Sequence, residues 1–292
     1  MKVLITGSEG IIGRALCPML EERGHKVTRF DLAGAPSDDV MHLMAVSAAQ
    51  VLARCEAIIH LAAQSGVNHA RNHPYEAWNL NVIGTLNVLE TARDRDIPVI
   101  VASSNHVYGA QMGRTDEDAP LLNLDTYSAS KIAADVMARS YANDFGLKVA
   151  VVRNTNCYSP NTPPWHEHLI EETIRATMRG EIMVLRSDGQ TVKSYLHVED
   201  VASAYVTLLE TGATGAYNVT SHEPIRADDL VLCITTMMGR AELGLVVGVG
   251  DTWQHDEDLD DAKIRQLGWE PRYSLTDGLR ATIDAMTETA KV

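Results

Sequence analysis

Residues 3–16 read VLITGSEGIIGRAL: three apolar residues, then Gly7, Gly10 and Gly13, then helical spacing that continues to residue 23. The order predicts a buried strand, a tight turn and a helix. Glycine at such a junction permits the turn, lets backbone approach a pyrophosphate, and brings helix and strand close together. The helix start adds free N–H groups and the positive end of its dipole. A second strand-like stretch at 26–30 is followed by Asp31. A carboxylate there can accept hydrogen bonds from both ribose hydroxyls and repels a 2′-phosphate, which favours NAD over NADP. Arg29 beside it weakens that preference, and Asp39 in DDVMH can reach toward an adenine amine.

Working outward, strand character recurs at 57–60, 99–102 and 149–152, separated by helical patterns at 48–54, 75–95 and 127–144. Short apolar strands alternating with helices predict an α/β fold, a doubly wound parallel sheet covered on both faces. After about residue 155 the texture changes, with prolines at 160, 163 and 164, a helix at 169–179 and a strand-like piece at 181–185. The expected division is a dinucleotide-binding region over 1–155 and a smaller carboxyl-terminal α/β substrate-binding region over 156–292, interleaved with the first.

A chain of 292 residues, 45% hydrophobic, is long enough to bury a large core. Its formal charge of −14 argues against a nucleic-acid surface, which needs Lys and Arg concentrated on one face. The start, MKVLITGSEG, lacks the apolar core of a signal peptide, and no stretch is long and apolar enough for a membrane span; a cytoplasmic location is expected. Cys17, Cys55, Cys157 and Cys233 are far apart, which indicates neither a disulfide framework nor a zinc site. His166 and His168 lie two apart with no third ligand and read as loop histidines, so no metal is expected.

The stretch YSASK at 127–131 places Tyr127 and Lys131 on one helix face. A free phenol is a poor base at neutral pH, and an ammonium neighbour stabilises its phenolate. Ser103 and Ser104 end the fourth strand, at the carboxyl edge where ligands bind in such sheets, and Ser104 can hold a substrate oxygen.

Together these segments resemble the extended short-chain dehydrogenase/reductases, in particular the nucleotide-sugar epimerases and dehydratases. The likeness runs through TGSEGIIG (6–13), HLAAQSGV (60–67), NLNVIGTLNVLE (79–90), SSNHVYG (103–109), YSASK (127–131), RNTNCYSP (153–160), KSYLHVEDVASAY (193–205), GAYNV (215–219) and LDDAKIRQLGWEP (259–271). The resemblance implies a Rossmann fold and a Ser104, Tyr127, Lys131 catalytic set. It also implies NAD held by Gly7, Gly10, Ile11, Ile12, Gly13, Asp31, Asp39, Leu61, Ala62, Ala63 and Asn81 with Tyr127 and Lys131. Substrate contacts are implied at Gln64, Ser65, Asn105, His106, Asn156 and Lys193. The implied chemistry is epimerisation of a nucleotide-linked sugar, with Tyr127 taking a hydroxyl proton as hydride leaves the same carbon.

Two departures bear on the substrate. Dehydratase members carry an Asp-Glu pair where this chain has Asn105 and His106, and Asn cannot protonate a leaving hydroxyl. Related epimerases hold the diphosphate with Arg where this chain has Lys193 and Gly248; lysine loses bidentate geometry and glycine loses the charge as well. SSNH also resembles uronate dehydrogenases, so NAD-dependent oxidation of a free sugar or sugar acid is the alternative, with dehydration a second one. Apolar residues on more than one face of 75–95 and 127–144 lead to the expectation of a homodimer.

Overall fold

In the computed structural model, residues 1–31, 55–111, 113–122, 125–162, 168–248 and 256–290 are described. The first half supplies strands β1 (Lys2–Thr6), β2 (Lys26–Phe30), β3 (Ala57–His60), β4 (Val99–Ala102) and β5 (Val149–Asn154). Their helices are α1 (Ile11–Glu22), α2 (Val67–Asn72), α3 (Pro74–Trp78), α4 (Gly84–Arg93) and α5 (Thr126–Phe145). The second half adds β6 (Asn156–Tyr158), β7 (Met183–Leu185), β8 (Val192–Lys193), β9 (Tyr195–His197), β10 (Gly215–Val219), β11 (Ile225–Arg226) and β12 (Leu245–Val247). With them come α6 (Leu169–Arg179), α7 (Val198–Thr211), α8 (Ala227–Met237), α9 (Ala262–Arg265) and α10 (Leu275–Thr289).

The main sheet has six strands in the order β10-β5-β4-β3-β1-β2, every pair parallel. Side chains alternate across it. Val3 and Ile5 of β1, with Ala150 and Val152 of β5, join a core cluster under α1 and α7 that includes Leu16, Leu20, Val201 and Tyr205. Leu4, Val149 and Val151 point the other way into a cluster with Leu89 of α4 and Ala138 of α5. Apolar residues on both faces explain why these strands read as continuous hydrophobic runs. The doubly wound α/β sheet expected from the sequence is present. The outermost strand β10 begins at Gly215, with the whole of β6 to α7 intervening.

Two short parallel pairs, β6 with β9 and β7 with β12, and the antiparallel pair β8 with β11 lie outside that sheet. Around them α6, α8 and α10 bury Ile170, Ile174, Leu230, Ile234 and Leu279 in a separate cluster.

Helix α5 begins with a capping box: the Asp125 carboxylate accepts from the Ser128 N–H at 2.9 Å, and the Asp125 N–H donates to Ser128 Oγ at 3.0 Å. Tyr127, Lys131 and Asp135, four residues apart, are all buried. The expected single helix over 75–95 is instead interrupted. Between α3 and α4 lies a π turn, Asn79–Ile83, from which the Asn81 side chain accepts from the Gln64 N–H at 2.8 Å and donates to Gln64 O at 3.1 Å and Ser130 Oγ at 2.9 Å. The wider turn satisfies a buried amide that a regular helix would hold elsewhere. The helix expected at 48–54 lies outside the described residues.

Candidate active site

The glycine turn behaves as its spacing implies. Gly7 has φ +72°, and a Cβ there would stand 2.6 Å from the Ala62 backbone nitrogen; a Cβ on Gly13 would stand 2.4 Å from Gly7 O. Both approaches exclude any larger residue. Gly10 caps α1 with no side chain to satisfy the first N–H groups, which leaves them for a ligand anion. The Asp31 carboxylate accepts from the Glu9 N–H at 2.7 Å, which ties the end of β2 to this turn. Arg29 is held by Glu21 through two hydrogen bonds of 2.6 and 2.9 Å, so its charge is already engaged. Asp39 lies outside the described residues.

One cavity of about 580 Å³ joins this cradle to the carboxyl ends of the strands. Gly7, Gly10, Ile11, Ile12, Leu61 and Ala63 line it on the cradle side. Ser104, Asn105, His106, Tyr127 and Lys131 line it at the end of β4 and the start of α5, and Ser65, Asn156 and Lys193 also reach it. Gly13 and Ala62 contribute close backbone packing instead, and Asn81 and Gln64 brace the loop after β3. The Asn105 Nδ2 donor is buried without a partner, as is Gln64 Oε1. An orphaned donor on the wall beside Tyr127, a cradle that a Cβ would fill, and an uncapped helix start together fit a dinucleotide and a polar substrate.

Tyr127 is buried, and burial pushes its phenol up to about 12, opposed by a hydrogen bond with Ser104. Burial brings Lys131 down to about 8, opposed by the charge of Asp135. The Lys131 ammonium donates to the Ala102 carbonyl at 3.0 Å. The sequence suggests a phenol made acidic by its lysine; in the structure desolvation is the largest influence on each group and displaces both toward their neutral forms. His106 stands edge-on to Tyr127, with ring centroids 5.7 Å apart at 76°, and its backbone N–H donates to Ser104 Oγ at 3.2 Å. Ser103 serves the scaffold beneath, its hydroxyl donating to Asp135 at 2.9 Å.

That scaffold is an ion pair that reading the sequence did not single out. Asp135 accepts from Arg153 Nε at 2.8 Å and Nη2 at 2.9 Å, and from Arg139 Nε at 2.9 Å; Arg153 also donates to Tyr108 OH at 2.8 Å. Burial would raise the Asp135 carboxyl, but Arg153 holds it below its usual range. Its sequence signal is the extension of the 127/131 spacing by four more residues.

Also at the cavity, Lys193 lies 3.3 Å from Glu257 Oε1, and Asn156 Nδ2 donates to Glu257 Oε2 at 2.8 Å. Glu257 sits in an acidic run that resembles solvated surface and gives no sequence signal. Glu171, fully buried at the start of α6, accepts from the Ser159 N–H and the Thr162 hydroxyl through Oε1, and Oε2 has no partner. Burial raises its carboxyl and lowers the nearby His168 imidazole. His166 lies outside the described residues. Among the described residues no group of His, Cys, Asp and Glu is arranged to hold a metal ion.

The chain is 33% identical over 270 residues to a dTDP-glucose 4,6-dehydratase of Streptomyces griseus, covering 89% of this chain and 78% of that protein. It is 32% identical over 286 residues to a trifunctional UDP-glucose 4,6-dehydratase/UDP-4-keto-6-deoxy-D-glucose 3,5-epimerase/UDP-4-keto-L-rhamnose-reductase of Arabidopsis thaliana. That match covers 94% of this chain but only 41% of the plant protein, about two fifths of its length. A UDP-glucose 4-epimerase of Thermotoga maritima, solved with UDP-glucose, superposes with TM-score 0.90 at 25% identity over 99% of this chain and 100% of that one. A dTDP-glucose 4,6-dehydratase of Streptomyces venezuelae, solved with NAD, gives 0.88 at 27% over 100% and 98%. The NAD dependent epimerase/dehydratase family pattern matches residues 3–220, so the glycine cradle, the Ser104, Tyr127 and Lys131 set and the sheet that joins them belong to a member of the NAD-dependent epimerase/dehydratase family of enzymes.

Proposed function

We propose that this enzyme acts on a sugar linked to a nucleoside diphosphate and inverts one carbinol centre by transient oxidation. The observation that carries the reading is the cavity shared by the glycine cradle and by Ser104, Tyr127 and Lys131. NAD, when bound, accepts a hydride from the carbinol carbon and gives it back. The protein has to take the hydroxyl proton and keep the oxygen in place. Ser104 and the free Asn105 amide donate to that oxygen, and Tyr127 receives its proton. Because the buried phenol sits near 12, it becomes a base only when positive charge is brought to it, and Lys131 is the ammonium available. Water elimination has less support, since Asn105 has no proton to give a leaving hydroxyl. Incubation with UDP-glucose, UDP-glucuronic acid and dTDP-glucose followed by product analysis tests the reading. Turnover of a free sugar acid alone, with stoichiometric NADH, would overturn it.

That second reading, net oxidation of a free sugar or uronic acid, draws its support from the substrate side, where Glu257 already engages Lys193. A homodimer is supported by Tyr75, Trp78 and Val136, which expose 81%, 41% and 47% of their surface on α3 and α5. A sedimentation mass of one chain would refute it. No described helix is long and apolar enough to cross a membrane; a cytoplasmic location agrees with a soluble cofactor and a soluble substrate.

A further inference from the structure

We propose that Glu257 sets how strongly this site holds a substrate phosphate, by neutralising the cation that would meet it; the inference rests on the nucleotide-sugar reading above. Besides the catalytic Lys131, the cavity lining carries two cations among the described residues, Arg186 and Lys193. The sequence that follows β12 offers no further Lys or Arg before residue 256. Gly248 is packed so closely that a Cβ would stand 2.9 Å from Leu185 O and 3.2 Å from Arg186 O, and residues 249–255 contain neither Lys nor Arg.

Glu257 is fixed on both sides. Its N–H donates to Val192 O at 3.0 Å, beside Lys193 in β8; Oε1 takes the ammonium at 3.3 Å and Oε2 takes the Asn156 amide at 2.8 Å. Its side chain is 5% exposed and that of Lys193 17% exposed. At that burial the attraction is weakly screened by salt. A phosphate approaching Lys193 therefore meets a pair of zero net charge, and has to compete with a carboxylate fixed in place. Asn156 is bound by the same arrangement: its Nδ2 also donates to Ser194 O at 3.2 Å, so the carbonyl Oδ1 is what it can offer a ligand. Glu257 is thus a positioning residue that determines the charge seen by the substrate, and the site favours release of a diphosphate over tight retention.

Calorimetric titration of UDP into the full chain with NAD present tests this. Glu257→Gln removes the charge and keeps the hydrogen-bonding shape. It is expected to tighten UDP binding about tenfold, the scale of one unit charge several ångströms away in a partly wet site, and to make that binding more salt-sensitive. Lys193→Met unmasks the carboxylate and weakens UDP; the double variant, again of zero net charge, returns to within about threefold of wild type, the additive cancellation expected of two opposite charges and not of a merely structural Glu257. Unchanged or weaker UDP binding by a cooperatively melting Glu257→Gln protein overturns the proposal and leaves the nucleotide-sugar reading standing. Failure of the wild type to bind either UDP or dTDP, titrated in the same way, overturns both. Should Glu257→Gln not fold, the wild type decides: UDP affinity nearly independent of salt supports neutralisation, and affinity falling steeply with salt refutes it.

Discussion

Replacing Asp135 by Asn removes one charge from beneath the active site and alters almost no volume. Arg153, whose side chain is 1% exposed, then keeps its guanidinium without the carboxylate that faces it through two hydrogen bonds. Leaving a buried charge uncompensated costs about 3–5 kcal/mol, a large part of the roughly 5–15 kcal/mol that holds a domain together. The same substitution reaches Lys131. Asp135 opposes the burial that lowers Lys131 to about 8, so without it Lys131 loses its proton at still lower pH. Two measurements follow on one variant: urea unfolding at pH 7, and titration of the Lys131 ε-carbon by NMR. The expected results are a stability loss of about 3 kcal/mol or more and a lysine midpoint below that of the wild type. A loss under about 1 kcal/mol, which is the scale of a surface ion pair, together with an unmoved midpoint would refute the account.

Gly7→Ala should abolish NAD binding and destabilise the fold, because φ +72° and a 2.6 Å approach to the Ala62 nitrogen leave no room for a methyl group; cofactor fluorescence and thermal melting check both. Tyr127→Phe should keep NAD binding and lower turnover by about 10²–10⁴, the range for loss of a general base; substrate conversion compared with NAD affinity separates the two effects. His60, buried between Thr6 and Thr85, is held down to about 3 by burial and by Lys131. Between the ordinary histidine value of about 6.5 and that depressed one, the unfolded chain therefore binds the extra proton. Stability should fall through that window as pH drops, by up to about 4–5 kcal/mol, and urea unfolding of a His60→Asn variant should show a flatter profile.

What could be seen in the sequence was what is local. A strand, three spaced glycines and a helix start lie within residues 3–16, and Tyr127 and Lys131 share one helix face, so the glycine turn and the placing of that pair on one cavity were legible. The Asp135–Arg153 pair was not, because its partners sit 18 positions apart on a helix and a strand that only the fold brings together. Glu257 looked like one more acid in a charged run; its burial follows from Asn156, 101 positions earlier, and from Lys193 on a different strand. The interruption at Asn79–Ile83 was hidden because apolar spacing continues unbroken across it, while the reason for the turn, the bonds of Asn81, lies in another loop. The sign of the Tyr127 shift needed the degree of burial, which a motif does not carry.

The sheet that carries the cofactor cradle is completed by β10, whose five residues pair with β5 from Ala150 to Asn154. A gene truncated between β5 and α7 would yield a fragment with β5 exposed as a new sheet edge and α1 stripped of α7, prone to stick to its own copies. The halves therefore have to mature together, and swapping substrate specificity by grafting whole carboxyl-terminal pieces between relatives would have to carry β10 and α7 along with them.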